Sequence, residues 1–274
     1  MQPHKVFFVS DQTGVTVETL GHSLLEQFEG TQFDTETVPF VDSVDKAKRV
    51  AARINRVAAE EGRRPIVFAS LVQDKVRAEL LQSKGLVLDF FETYLGPLET
   101  ELQSRSTHTL RRRHGIDDSA GYNQRIEATN FALAADDGHG GQLYERADII
   151  LVGVSRSGKT PTCLYLALQY GIFAANYPLT DDEFEDNSLP RSLAEHRKKL
   201  YGLTIDAERL QSIRRERRAE GSYAAARQVS FELRAAESLF RRHRIPFIDT
   251  THSSIEEIAS TILAETGLER RVRA

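Results

Sequence analysis

The residues best suited to chemistry lie in one stretch, "GVSRSGKTPT", Gly153 to Thr162. Gly153, Val154, Ser155, Arg156, Ser157, Gly158, Lys159 and Thr160 satisfy the phosphate-loop pattern G-x-x-x-x-G-K-S/T in full. The chemistry follows from the residue types. Glycines let the backbone wrap a phosphate chain, and free N–H groups at a helix start supply positive potential. The spacing aims Lys159 at the terminal phosphate and makes the Thr160 hydroxyl a ligand for Mg²⁺. Pro161 comes next and has no N–H to give. An ordinary loop of this kind offers that N–H to the α-phosphate, so the proline raises the question of register.

A phosphotransferase also needs carboxylates. Asp249 ends the apolar run "IPFID" and is placed to support the cation; it is equally suited to start a turn. Asp181 and Asp182 follow "NYPLT", where "TDDE" also makes a good helix start. Arg214, Arg215, Arg217 and Arg218 have the bidentate geometry of a phosphate lid, or else form a solvated helix face. Near the N-terminus, "SDQTG" places Ser10, Asp11, Thr13 and Gly14 at the carboxyl end of an apolar strand, where open α/β sheets bind ligands. An ordinary capped loop reads the same way. His22 reads as packing or surface, His114 and His252 lie within range of a site, and no histidine has metal-like spacing.

These residues need scaffolds. The chain of 274 residues suits two domains of ordinary size. "KVFFVS", "TETVPFV", "PIVFAS" and "LVLDFF" read as strands. They alternate with helices in "TVETLGHSLLEQF", "DKAKRVAARINRVAAEEG" and "DKVRAELLQSKG". The first helix is expected to bury Val17, Leu20, Leu24 and Phe28, and the second Ala47, Val50, Ile54, Val57 and Ala58. That alternation predicts an N-terminal α/β domain with a parallel sheet, residues 1–95. Residues 96–145 are polar, broken by Gly and Pro, and read as a connector with one helix from Tyr122 to Ala135.

A second α/β domain, 146–274, opens with "ADIILVGV" ahead of the loop. Its first helix, "TPTCLYLALQYG", is expected to bury Leu164, Ala167 and Leu168. "FAANYPL", "LYGLTI" and "IPFIDT" read as its further strands, and Ser254 with Glu257 forms a capping-box pattern.

Composition narrows the class. Hydrophobic residues make up 40% and the net charge is −4, so neither a nucleic-acid partner nor a membrane is indicated. Cys163 is the only cysteine, which excludes an intramolecular disulfide and reads as cytoplasmic.

"VFFVSDQTGVTVETLGHSLLEQF", "DDG" at Asp136 to Gly138, "GVSRSGKTPT", "AANYPL", "GLTIDAERLQSIRRERR" and "SIEEIA" occur in this order. In this the chain resembles the bifunctional regulators of phosphoenolpyruvate synthase and of pyruvate,phosphate dikinase, over nearly its whole length. Dikinase regulators tend to carry Ser-Lys where Gly158-Lys159 stands, so the likeness is to the synthase branch.

The resemblance implies a C-terminal P-loop kinase-like domain and two activities. One moves the β-phosphate of ADP to a threonine of phosphoenolpyruvate synthase, releasing AMP and inactivating the target. The other uses phosphate to remove the group, forming pyrophosphate. It implies that Gly153 to Thr160 bind the nucleotide and that chains of this kind self-associate. The resemblance assigns no base. From the residues themselves, Lys159 and a Thr160-bound Mg²⁺ are expected to neutralise the moving phosphoryl group, and Asp249, or Asp11 if the two domains face each other, to accept the threonine proton. The same activities on the dikinase, a small-molecule kinase of the nucleoside monophosphate type, and a nucleotide-binding switch without transferase activity are the alternatives.

Overall fold

A computed structural model describes residues 3–108, 119–138, 141–186, 188–217 and 222–272. The chain divides into two compact units, Met1–Arg112 and Arg113–Ala274. Both are α/β, each built on a four-stranded sheet whose strands all run parallel.

The first unit runs β1 (His4–Ser10), α1 (Val15–Leu25), β2 (Phe33–Val38), α2 (Val44–Glu61), β3 (Ile66–Ser70), α3 (Asp74–Leu81), β4 (Leu86–Asp89) and α4 (Phe90–Leu102). The strand order is β2-β1-β3-β4. Side chains alternate across β1, so the sheet feeds two cores. Phe7 and Val9 pack with Ala47, Val50 and Ile54 of α2 on one face. Val6 and Phe8 pack with Val17 and Leu25 of α1 on the other.

Two expectations are corrected here. Helix α1 buries Val17, Gly21 and Leu25, while Leu24 and Phe28 are exposed. Gly21 sets this rotation: a Cβ there would stand 2.3 Å from the Phe8 ring, so a glycine makes the close contact that a hydrophobic count overlooks. The run "LVLDFF" is a strand only to Asp89. The Asp89 carboxylate accepts the Glu92 N–H at 2.9 Å, and that cap turns Phe90 and Phe91 into the first turn of α4. Helix α4 continues through Pro97 to Leu102, inside the stretch expected to be a connector.

The second unit runs α5 (Ser119–Ala134), β5 (Ile149–Gly153), α6 (Lys159–Tyr170), β6 (Ala174–Pro178), α7 (Asp181–Asp186), α8 (Arg191–Ala194), β7 (Leu200–Thr204), α9 (Ala207–Arg217), α10 (Ala226–His243), β8 (Phe247–Asp249) and α11 (Ile255–Thr266). Its order, β6-β5-β7-β8, repeats the permutation of the first sheet. In each, the first strand sits inside the sheet and the chain moves first to one side of it, then to the other. The carboxyl end of that strand is the switch point where such sheets bind ligands.

Helix α5 joins the second core through Ala128, Phe131 and Ala132, and Phe131 stacks on Phe173 at 4.9 Å. Helix α6 buries Thr162, Cys163, Leu166, Ala167 and Tyr170, whereas Leu168 is exposed. The apolar stripe is therefore rotated from the expected Leu164–Ala167–Leu168 face. The capping box of α11 is present, with Ser254 and Glu257 bonded reciprocally. Among the described residues, no helix is long and apolar enough to cross a membrane.

Candidate active site

Strand β5 is buried throughout, and its last residue, Gly153, starts the loop. Only glycine fits at that point. A Cβ at Gly153 would lie 2.5 Å from the Leu203 carbonyl oxygen and 2.8 Å from Ser157 Oγ. Gly158 caps α6 with φ 91, and Arg156 holds φ 75, a left-handed conformation that few side chains adopt. Left-handed residues alternating with right-handed ones turn successive N–H groups toward one concavity.

The loop is held by its carbonyls. Lys159 Nζ donates to Val154 O at 2.8 Å, Arg214 Nη2 to Ser155 O at 3.1 Å, and Thr250 Oγ1 to Ser157 O at 3.3 Å. Lys159 is almost completely buried, and burial lowers its ammonium to about 8; Asp137 nearby opposes that shift. An arriving phosphate would replace the missing hydration of this cation.

The loop opens into a cleft of about 490 Å³. Ser155, Arg156, Gly158, Lys159, Thr160 and Pro161 line one side. Asp136, Asp137, Pro178 and Arg217 complete it. Cations and carboxylates thus face the same space. Thr160 Oγ1 donates to Asp136 Oδ1 at 2.9 Å. Asn176, buried in β6, donates through Nδ2 to both Asp136 Oδ1 and Thr160 Oγ1.

The other sequence candidates separate. Asp249 ends β8, two strands from β5, and does not line the cleft; its carboxylate accepts from Thr251 N at 2.8 Å. Asp181 starts α7 and accepts from Gln228 at 3.3 Å, also outside the cleft lining. Asp11 belongs to the first unit, where Oδ2 accepts the Val72 N–H at 2.7 Å; burial pushes its carboxyl up. The Ser10–Gly14 segment follows the inner strand β1 as the phosphate loop follows β5, and Gly14 caps α1 at φ 87. His22 packs on Phe8 with ring centroids 4.9 Å apart. His252 is exposed and lines a separate depression with Asp249; His114 lies outside the described residues.

The arginine run divides by role. Arg214 is fully buried and bonds Ser155 O, Tyr223 O and Glu232, with the Tyr223 ring 4.5 Å from its guanidinium. Arg217, one turn on, lines the cleft, Arg215 is exposed, and Arg218 lies outside the described residues. Residues missed by motif reading are thus Asp136, Asp137 and Asn176, while Arg214, expected in a lid or on a solvated helix face, is instead a buried support of the loop. "DDG" and "AANYPL" contain the first three, but their sequence positions give no hint that they converge on Thr160.

The cleft's oxygens suit a hard cation carried by phosphate. Thr160 and Asp136 supply a hydroxyl and a carboxylate side by side, and Mg²⁺ commonly takes one or two such ligands with phosphate and water completing its shell. Among the described residues, no group of three or more His, Cys, Asp or Glu could hold a metal ion on protein ligands alone.

A complete phosphate-loop pattern facing carboxylates has the groups that phosphoryl transfer needs. In agreement, the family described as kinase/pyrophosphorylase matches residues 6–263, and the chain belongs to that family. Its relatives sharpen the class. A protein of Alcanivorax borkumensis is 53% identical over 97% of this chain and 98% of its own length. One of Hahella chejuensis is 50% identical over the same shares, and one of Ectopseudomonas mendocina 53%. All three are provisionally named phosphoenolpyruvate synthase regulatory proteins.

Proposed function

We propose that the chain regulates phosphoenolpyruvate synthase by two opposed phosphoryl transfers at the β5–α6 loop. In one, a threonine Oγ of the target attacks the β-phosphorus of ADP. The bond from that phosphorus to the α–β bridging oxygen breaks, AMP leaves with the oxygen, and the threonine proton passes to a carboxylate. In the other, an oxygen of inorganic phosphate attacks the phosphothreonine phosphorus. Pyrophosphate forms, and the threonine oxygen leaves and regains a proton.

The observation that carries this reading is the convergence of Lys159, Thr160 and Asp136 on one cleft in a chain of the kinase/pyrophosphorylase family. Such transfers depend on positioning and charge neutralisation. Lys159, Arg156 and Arg217 supply positive charge around the phosphate chain, and the loop N–H groups orient it. Thr160, with the Asp136 carboxylate behind it, would hold Mg²⁺, which when bound would neutralise phosphate charge. Asp136 and Asp137 both line this cleft, and Asp136 is engaged by Thr160 and Asn176, so proton acceptance falls to Asp137 before Asp249.

Pyrophosphate resembles the diphosphate of ADP, so one loop can serve both directions. Pro161 lines the cleft in the first turn of α6 without an N–H. A loop that must also take free phosphate or pyrophosphate has less use for a dedicated α-phosphate donor. The test is to mix the chain with phosphoenolpyruvate synthase and ADP, then measure AMP and phosphothreonine. Adding phosphate afterwards should return pyrophosphate and active synthase. Transfer from ATP to a small metabolite, with no change in the synthase, would refute the proposal.

A further inference from the structure

We infer that Asp136, held by Asn176, is a positioning residue that fixes the Thr160 hydroxyl so that one oxygen lone pair faces the cleft and ligates a divalent cation bound to a diphosphate. The inference rests on the proposed reading of the loop and assigns the residues that make it cation-dependent.

The argument starts from the "DDG" turn. Helix α5 ends at Ala134, and the next residues run beside β6. Asn176 N donates to Ala135 O at 3.2 Å, and Gly138 N donates to Asn176 O at 3.3 Å. Asp137 N donates to the Asn176 side-chain oxygen at 3.0 Å, with Asp137 at φ 50 and Gly138 at φ 78. Both the backbone and the side chain of one buried asparagine thus set the turn. Asn176 itself is fixed by strand pairing with Leu151 of β5, the strand that delivers the phosphate loop.

The amide assignment is determined by these partners. Asn176 Oδ1 is used by the Asp137 N–H, so its NH₂ group must face Asp136 and Thr160. A hydroxyl has one hydrogen and two lone pairs. The Thr160 hydrogen goes to Asp136 Oδ1 at 2.9 Å, and one lone pair accepts from Asn176 Nδ2 at 3.3 Å. The second lone pair remains, on a residue that lines the cleft. A threonine that ligates a cation through oxygen must send its hydrogen elsewhere, and Asp136 receives it. The carboxylate also adds negative charge beside the cation position. Partners behind a metal ligand orient it and raise its basicity in the same way.

Sequence distance hides this arrangement. Asp136 precedes the loop by a helix-to-strand connection, and Asn176 follows on the next strand. Neither occupies the position that a strand-ending acid after the loop, such as Asp249, would have led one to expect.

The test is calorimetric titration of the full chain with ADP and with pyrophosphate, each in Mg²⁺ and in EDTA. Wild type should bind both more tightly with Mg²⁺. Asp136→Asn should lose about 10- to 100-fold of the Mg²⁺-linked gain, while affinity in EDTA is kept or rises, because a negative charge beside the phosphates is gone. Thr160→Val should lose the same gain, Thr160→Ser should retain it, and Asn176→Ala should fall between. These variants span three elements, so a folding failure in one leaves the others to decide.

Asp136→Asn with the full Mg²⁺-linked gain would overturn the inference, and with transfer abolished as well it would make Asp136 the proton acceptor instead. Equal losses with Mg²⁺ and with EDTA would overturn it in favour of a structural role. Wild type binding neither ligand under either condition would overturn the reading of the loop, and the inference with it.

Discussion

Removing Arg214 should loosen the phosphate loop from behind. Its side chain is completely buried, and its Glu232 partner is 13% exposed, with 2.6 Å between them. The guanidinium also donates to Ser155 O at 3.1 Å and Tyr223 O at 3.0 Å, over the Tyr223 ring. Breaking a buried ion pair by deleting one member costs about 3–5 kcal/mol, because the other charge stays behind. Glu232 keeps a donor in Gln228 at 3.1 Å and retains some solvent, which places Arg214→Ala near the lower end. Arg214→Lys keeps the charge for Glu232 but not the fork, so losing the two carbonyl bonds should cost about 1–3 kcal/mol.

A chain of two units need not unfold in one step, so a single global unfolding energy is not the readout. Native-state hydrogen exchange on peptides covering β5 and α6 reads the opening energy where the argument applies. Arg214→Ala should reduce it by about 3 kcal/mol, and ADP affinity should fall with it, since Ser155 belongs to the loop. A loss below about 1 kcal/mol, the range of an exposed ion pair, would refute the reasoning.

Other substitutions probe separate links. Gly153→Ala forces a methyl against the Leu203 carbonyl, a backbone atom that cannot swing away, and should cost at least about 1–3 kcal/mol in the same exchange measurement and weaken ADP binding. Pro161→Ala restores an N–H at the start of α6; ADP should bind more tightly relative to pyrophosphate, and an unchanged ratio in competition titrations would show that the proline does not set register. Burial holds the Asp11 carboxyl above its usual range, so its contribution to stability is fullest at acid pH and is lost as pH rises through the folded value. Asp11→Asn, which can still accept the Val72 N–H, should therefore gain stability over wild type near neutral pH, with the gap closing on acidification in urea titrations.

The elements legible in sequence were those with unbroken apolar runs or explicit stop signals. Strand β5 and its loop follow from "IILVGV" and the glycine pattern, and Gly62 and Gly171 end α2 and α6 at positive φ as their positions suggest. What stayed hidden depended on contacts between distant residues. The α1 stripe turns on the approach of Phe8 to Gly21, which hydrophobic spacing does not register. Phe90 reads as strand until Asp89 is seen capping a helix. Arg214 reads as a lid or surface arginine until α9 lays it against the Ser155 carbonyl. Asp136 and Asn176 meet Thr160 only because β6 pairs with β5 and draws the "DDG" turn alongside.

The central claim is most directly tested by following one phosphorus atom. ADP labelled at the β-phosphate is incubated with the wild-type chain and phosphoenolpyruvate synthase, alongside Lys159→Ala. The account predicts label on a synthase threonine, unlabelled AMP in equal amount, and neither product with Lys159→Ala, which lacks the cation facing the cleft. Label that stays in ADP in the presence of wild type, or that reaches the synthase equally well with Lys159→Ala, would contradict it.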